Sequence, residues 1–310
     1  MTVTFDRDGA RRSAVVLREE RLQLTPAVPA GRGWAPAHLE GADLCAAECA
    51  DIGTVLRHLT TAQQIFDSLP PPADNRVASF NSLYFTITDR VAQSLGGAGV
   101  RDKEFLELLD VEFAKRYFTA LRLWGDDDTA TPDAWEVLFR RAQDLDLSKL
   151  AAAMLGVNAH INHDLSLALI GTWADLGAPT DDLIHPDYLL VNQIFYEEIP
   201  PLRRGFSTRW QLEIDEFVGP LDDWSQRMLV TVTRAHAWDQ GRRLWALRDD
   251  PEDFEQARRA MDRAASLVAE FAIVGDRLVN TAGWGVTRTW LLLGRVFHPR
   301  ARRRLTNRRR

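Results

Sequence analysis

The sequence has few cysteines and no long apolar run. Only two of its 310 residues are cysteine, which excludes a small scaffold held together by disulfides. No uninterrupted apolar stretch reaches the roughly 18 residues that a membrane-spanning helix needs, and residues 1–21 hold no apolar core of signal-peptide length. We therefore expect a protein of the cytoplasm.

Strand-forming patterns and net positive charge are also missing. Ala, Leu, Arg, Asp and Glu dominate the composition, which argues against a β-sandwich or a β-barrel. The net charge of −6 argues against general nucleic-acid binding, so no specific nucleic-acid partner is expected. The sequence also lacks a phosphate-binding glycine loop, a dinucleotide-binding fingerprint, a Gly-x-Ser-x-Gly elbow and a His-Glu-x-x-His motif.

What the chain does contain is apolar residues that recur at helical spacing. This pattern predicts an all-α fold, a single bundle-like domain of about seven to eight helices. We expect an extended N-terminal lead-in over residues 1–40, the helical domain over 41–280, and an apolar segment with an arginine-rich tail over 281–310. The predicted helices run from about Asp43 to Ser68, from a cap at Asp74 to Gly96, from a cap at Asp102 to Asp126, from Ala134 to Phe139, from Ser148 to Trp173, over 188–195 up to a break at Pro200 and Pro201, and over 222–248 and 252–274.

The C-terminal end differs in charge from the rest of the chain. From Arg295 onwards it holds eight arginines and no acid, and without these eight charges the remainder of the chain carries −14. Trp284, Trp290 and a leucine triplet precede the arginines. The segment is interpreted either as a peripheral contact with an anionic membrane surface or as a last core helix with a soluble tail.

One polar segment interrupts the apolar helix predicted over 148–173. Asn158, His160, Asn162, His163 and Asp164 lie within seven positions and have apolar stretches on both sides. Helical spacing places His160 beside Asp164, and Asn158 beside Asn162. Buried polar groups must be hydrogen-bonded. The segment therefore either forms the polar surface of a catalytic or ligand-binding site, or forms a hydrogen-bond network between helices that fixes their register.

Three stretches also resemble a known family. They are Phe80-Asn-Ser-Leu-Tyr84 with Thr88, the helix from Phe105 to Tyr117, and Gly156-Val-Asn-Ala-His-Ile-Asn-His-Asp-Leu165. Together they resemble an uncharacterised, mainly actinobacterial family that is defined only as a domain of unknown function, over about residues 43–250. The resemblance implies a helical soluble domain associated with secondary metabolism, and it implies no established activity.

Several isolated polar residues fall on or beside other predicted helices. Asn81 and Tyr84 either line a pocket or tie helices together. Arg234 and Trp238 lie one helical turn apart. They either form a cation–π pair or an anion-binding surface, or they belong to a helix that packs in the core with the arginine exposed. Asp187 either caps a helix or serves as a ligand.

The favoured hypothesis is an enzyme without a cofactor that acts on an apolar small molecule as a cyclase, isomerase or lyase. His160 is the general acid and base, Asp164 orients it, and the asparagines hold a carbonyl or a developing oxyanion. The residues expected to bind substrate are Asn81, Tyr84, Asn158, Asn162, Arg234 and Trp238. The hypothesis predicts an apolar cavity of about 300 Å³ or more, with the imidazole of His160 in its wall.

Two alternatives stay open. A metal-dependent hydrolase would hold zinc or another divalent metal through His160, His163, Asp164 and Asp187. A helical binding protein without enzymatic activity would be held at a membrane surface by the arginine-rich tail. The sequence predicts neither the oligomeric state nor the identity of the substrate.

Overall fold

The computed structural model describes the backbone of residues 49–68, 75–126, 129–179, 184–206 and 209–297. It describes their side chains except at 199, 202–204, 206, 209–226 and 278–297. Within these ranges the chain is helical and contains no strand, as the sequence predicts. The helices are α1 (Ile52–Asp67), α2 (Val77–Leu95), α3 (Lys103–Gly125), α4 (Asp133–Phe139), α5 (Lys149–Ala159), α6 (Leu165–Leu176), α7 (Pro186–Phe206), α8 (Arg209–Ala246) and α9 (Pro251–Phe297).

A short π-helical segment, His160–Asp164, joins α5 to α6, so the two form one continuous rod. Among the described helices, none has both the length and the apolar character that crossing a bilayer requires. The extended lead-in predicted for residues 1–40 lies outside the described residues. So does the arginine-rich tail beyond Phe297.

Capping side chains decide where several helices begin. Asp102 accepts a backbone N–H from the first turn of α3 at 2.9 Å, which confirms the predicted cap, and Ser148, predicted only as the approximate start of a helix, does the same for α5 at 3.0 Å. The first helix starts later than the predicted Asp43, because Asp51 caps α1 at 2.6 Å and the residues just before it are not helical. The predicted cap at Asp74 lies outside the described residues.

Three predicted helix boundaries in the C-terminal half are wrong. A break was expected at Pro200 and Pro201, because proline lacks an N–H and its ring crowds the preceding turn, yet α7 continues to Phe206. Helix α7 packs on α2 and α8 in this region, and an exposed ion pair of 3.0 Å joins Arg90 on α2 to Glu197 in the turn before the prolines. Helix α8 begins at Arg209 and not at 222, and α9 continues past the predicted end at 274.

The α5–α6 rod occupies the middle of the domain. Helix α2 packs on α5, helices α3 and α8 pack on α6, and α9 packs on α5 and on the π segment. His160, His163 and Asp164 are consequently buried, whereas Asn158 and Asn162 are half-buried. The polar segment therefore lies inside the helical core, as its apolar flanks indicate.

A close approach of α2 to α5 sets the packing around the polar segment. The ring of Phe80 lies over Gly156 and makes edge contacts with Trp135, Tyr117 and His160. A Cβ atom at Gly156 would overlap the ring and the Cβ of Phe80. Glycine at this position is thus what allows the two helices to meet.

We expect Gly156→Ala to lower the free energy of unfolding by about 1–3 kcal/mol, the usual cost of overfilling a packed core. Gly275→Ala on α9 is the matched control, because no described atom outside the local helix backbone lies within 4 Å of a Cβ placed there. That control should raise stability by less than about 1 kcal/mol through helix propensity. Urea denaturation measures both changes, and equal stability of the two variants would contradict the close approach.

Candidate functional site

The polar segment forms a π turn at its centre. The carbonyl of His160 accepts the N–H of Leu165, five residues further on, where an α-helix would use a four-residue step. Such single π turns within α-helices are frequently found at functional sites. The sequence analysis predicted an unbroken α-helix here, since apolar spacing carries no signal for one extra residue in a turn.

Asp164 is the centre of a buried hydrogen-bond cluster. Its carboxylate accepts from Nδ1 of His163 at 2.8 Å, from Nε1 of Trp135 at 2.9 Å and from Nδ1 of His160 at 3.0 Å. Burial alone would raise the pKa of Asp164, but the hydrogen bonds and charges of the two histidines outweigh it and hold the pKa below its usual value. Asp164 is therefore ionised at neutral pH.

The same cluster fixes the state of the His160 ring. Because an ionised carboxylate can only accept, Nδ1 carries the ring proton, and Nε2 keeps its lone pair. Burial lowers the pKa of His160, although the hydrogen bond to Asp164 opposes the shift, so the ring is neutral at pH 7. In the described part of the chain, Nε2 is buried and has no hydrogen-bond partner.

His160 lies in the wall of a partly open cavity of about 40 Å³. The wall is mainly apolar and comes from α2, α3, α5, the π segment, α6, α7 and α8; its polar members are Tyr84, Asp110, His160 and Arg234. The predicted cavity of about 300 Å³ is wrong in size. Aromatic rings fill the space: Phe113 stacks on the imidazole with ring centroids 3.4 Å apart, and Tyr84 meets it edge-on at 4.5 Å.

Asp110 on α3 is a member of the site that the sequence analysis missed. It is 8% exposed, and its Oδ2 has no partner among the described residues. Burial, helped by the charge of Glu107, raises the pKa of Asp110 to about 8, so the carboxyl group keeps its proton at neutral pH. A signal was present, because this acid shares the buried face of α3 with Leu106 and Phe113.

Tyr84 adds a second buried hydroxyl donor to the same cavity. Its hydroxyl is buried, and Thr88 on the same helix lies near enough to act on its pKa through a hydrogen bond. Burial, with a contribution from the neighbouring Asp110, raises the pKa of Tyr84 well above its ordinary value. The phenol is therefore neutral and able to donate.

Arg234 is buried in the wall of the cavity. It therefore does not have the exposed guanidinium that one interpretation of the sequence expected. It donates to Oδ1 of Asn192 at 2.6 Å and to the carbonyl of Tyr188 at 2.9 Å. Its guanidinium lies 4.2 Å from the centre of the Tyr188 ring, so the cation–π partner is Tyr188 and not Trp238. Trp238 packs against Trp173 and Tyr188 and does not line the cavity.

Four other predicted site residues lie away from the cavity and connect helices. Asn81 donates to a backbone carbonyl of α1 at 2.9 Å, Asn158 donates to one of α9 at 2.8 Å, and Asn162 donates to Asn158 at 2.9 Å. Asp187 accepts the two backbone N–H groups that precede α3. The structure thus brings together Tyr84, His160 and Arg234 and leaves these four residues in structural positions.

The four candidate metal ligands are not assembled around one point. Nδ1 of His160 and Nδ1 of His163 both face the carboxylate of Asp164, whereas Asp187 is engaged at the start of α3. Across the residues that the structure describes, no group of three or more His, Cys, Asp or Glu side chains is arranged to hold a metal ion. The arrangement is that of a hydrogen-bonded acid–base cluster.

Comparison with known proteins gives a family but no activity. The family model described as "Family of unknown function (DUF5995)" matches residues 52–274, a span that contains every member of the cavity wall. Neither the search of curated proteins nor the search of solved structures gives a match. The chemistry must therefore be argued from the site itself.

We expect Asp110→Asn to change how stability depends on pH. The folded state holds the Asp110 proton up to about pH 8, and the unfolded state releases it near 3.8. The contribution of Asp110 is therefore full below about pH 3.8 and is lost as the pH rises to 8. Relative to the wild type, the variant should gain about 1.4 kcal/mol in unfolding free energy per pH unit between about pH 5 and 7.

Urea denaturation at several pH values measures this difference. Asp249→Asn is the control for the general effect of removing one acidic side chain, since the side chain of Asp249 is 85% exposed. Parallel stability curves for Asp110→Asn and the wild type would contradict a protonated Asp110.

Proposed function

The chain belongs to DUF5995, a family of unknown function, and we propose that it is an enzyme that transfers a proton on an apolar small molecule, with His160 as general base and acid. One observation carries the proposal. The Nε2 atom of His160 is buried and free, while Asp164 holds the opposite ring nitrogen and the ring lies in the wall of an apolar cavity. The reactions that fit are those of a cyclase, an isomerase or a lyase.

Asp164 prepares His160 for this role as a positioning residue. It holds the tautomer in which Nε2 can accept a proton, and it stabilises the imidazolium that forms once the proton has moved. The stacked ring of Phe113 and the edge of Tyr84 hold the imidazole in place and keep bulk water from it. In such a low-dielectric surrounding, the Asp164 charge acts more strongly than it would in water.

Asp110 and Tyr84 supply the complementary donors. A protonated carboxyl group and a neutral phenol, both buried in one cavity wall, can donate to a substrate oxygen on which negative charge develops. These residues take the place of Asn158 and Asn162, which the sequence analysis assigned to the oxyanion. A neutral acid and a neutral base facing one cavity suit proton transfer to and from carbon beside a carbonyl group.

The cavity limits what part of a substrate reaches His160. A volume of about 40 Å³ holds a fragment of a few non-hydrogen atoms. The apolar wall favours a hydrocarbon fragment, and the partly open side leaves room for the rest of the molecule. The proposed substrate is therefore a small apolar carbonyl compound, or a larger one that inserts its reacting end.

Exchange of carbon-bound hydrogen for deuterium tests the proposal without knowledge of the product. The full-length protein is incubated in D₂O with a panel of small aliphatic and aromatic ketones and aldehydes, and deuterium uptake is followed by NMR. We expect uptake beside the carbonyl of at least one compound, with a loss of about 100-fold or more in His160→Gln, the usual contribution of a general base.

His163→Gln is the matched control, because His163 also contacts Asp164 but does not line the cavity. It should keep uptake within about threefold of the wild type, since it takes no part in the proton transfer of a general base. Thermal unfolding of both variants checks that each is folded. Equal losses in the two variants, or none in His160→Gln, would contradict the role of His160.

A further inference from the structure

A buried positive charge in the cavity wall has no carboxylate partner. Arg234 is 2% exposed, and its two hydrogen bonds go to neutral acceptors, Oδ1 of Asn192 and the carbonyl of Tyr188. Within the described residues no Asp or Glu pairs with it. Burying a guanidinium without an opposite charge is costly, so folded proteins seldom retain one without a use.

The guanidinium also has N–H donors that make no hydrogen bond with the described residues. Of the five N–H donors that the group possesses, the structure uses one on Nε and one on Nη2. The ring of Tyr188 covers one face at 4.2 Å, and Phe195 lies 5.8 Å away. The rest of the group is left for an acceptor that comes from the cavity, whose wall it shares with His160.

We infer that Arg234 binds the carboxylate of a small apolar carboxylic acid, which is the substrate class of the site. The inference rests on the proposed function for the role of substrate, but the binding itself depends on Arg234 alone. Guanidinium groups recognise carboxylates through two parallel hydrogen bonds, and the apolar wall suits the hydrocarbon part of the acid.

A carboxylate fits this site better than a phosphate. Arg234 is the only lysine or arginine among the residues that line the described cavity. A single cation with part of its donors engaged balances one negative charge, and the ionised Asp164 beside His160 would repel a second. Since the cavity measures about 40 Å³, a carboxylate held at Arg234 keeps the first carbon atoms of the acid in the same small space as His160.

Calorimetric titration of the full-length protein tests the inference with butyrate and hexanoate as probes. Butyramide and hexanamide are their neutral controls, equal in shape and without charge. We expect at least one acid to bind and its amide to bind about tenfold more weakly or not at all, because the amide offers no charge to the guanidinium.

Asn192→Asp is the decisive variant. It keeps the shape of the side chain that accepts from Arg234 and gives the arginine an internal carboxylate, so the fold is retained and the ligand loses its partner. Affinity for the acid should fall about 30-fold or more. Gln193→Glu adds the same charge at the next, exposed position and should leave the affinity within about threefold, as expected of a screened surface charge.

The outcomes separate this inference from the proposed function. Absence of acid binding by the wild type, equal affinity for acid and amide, or full acid affinity in Asn192→Asp would each overturn it. Acid binding that is lost in Asn192→Asp supports it, even if no compound exchanges hydrogen at carbon and the enzyme proposal fails. Exchange of ketones together with equal binding of acid and amide would leave the enzyme and remove the carboxylate site.

Discussion

The carboxylate of Asp164 is the charge on which the interior of this domain depends. It is 1% exposed, and it stays ionised because two imidazoles and one indole donate to it. These donors come from α4 and from the π segment, so the carboxylate joins two elements that apolar contact alone would not align. Removing it would leave buried N–H groups unpaired, at about 1–3 kcal/mol for each.

A second consequence is that the usual order in which a carboxyl group and an imidazolium lose their protons is inverted. In water a carboxyl group loses its proton well before an imidazolium does. In this cavity, burial raises the pKa of Asp110 to about 8 and lowers the pKa of His160, so at neutral pH the carboxyl group holds its proton and Nε2 of the imidazole carries none. Titratable groups whose pKa values are pushed apart by their surroundings are a mark of acid–base sites.

The sequence predicts the parts of this arrangement that depend on local spacing. The all-α class, the cap at Asp102, and the pairing of His160 with Asp164 one turn apart all follow from residue type and period. Boundaries set by contacts between helices do not follow. Helix α7 continues through Pro200 and Pro201 where the local pattern predicts an end.

The composition of the cavity wall was harder to predict for a similar reason. Asn158 lies in the same polar segment as His160, but it lies on the side of the rod that packs on α9 and donates to a carbonyl there. Asp110 stands near Glu104, Glu107 and Glu112 in the sequence, none of which is buried, and only the packing of α3 against α2, the π segment and α6 shows that Asp110 is buried. A side chain's partner across helices depends on tertiary packing, about which periodicity gives little information.

Nitrogen-15 NMR of the histidine side chains is the most direct test of the central claim, that Asp164 holds a neutral His160 with a free Nε2. The His160 signals are identified by their loss in a His160→Gln sample. The account predicts a proton on Nδ1 and a bare Nε2 at pH 7, and uptake of a second proton only at a lower pH than an ordinary histidine needs, because burial lowers the pKa of His160. A proton on Nε2 at pH 7, or an imidazolium there, would contradict it.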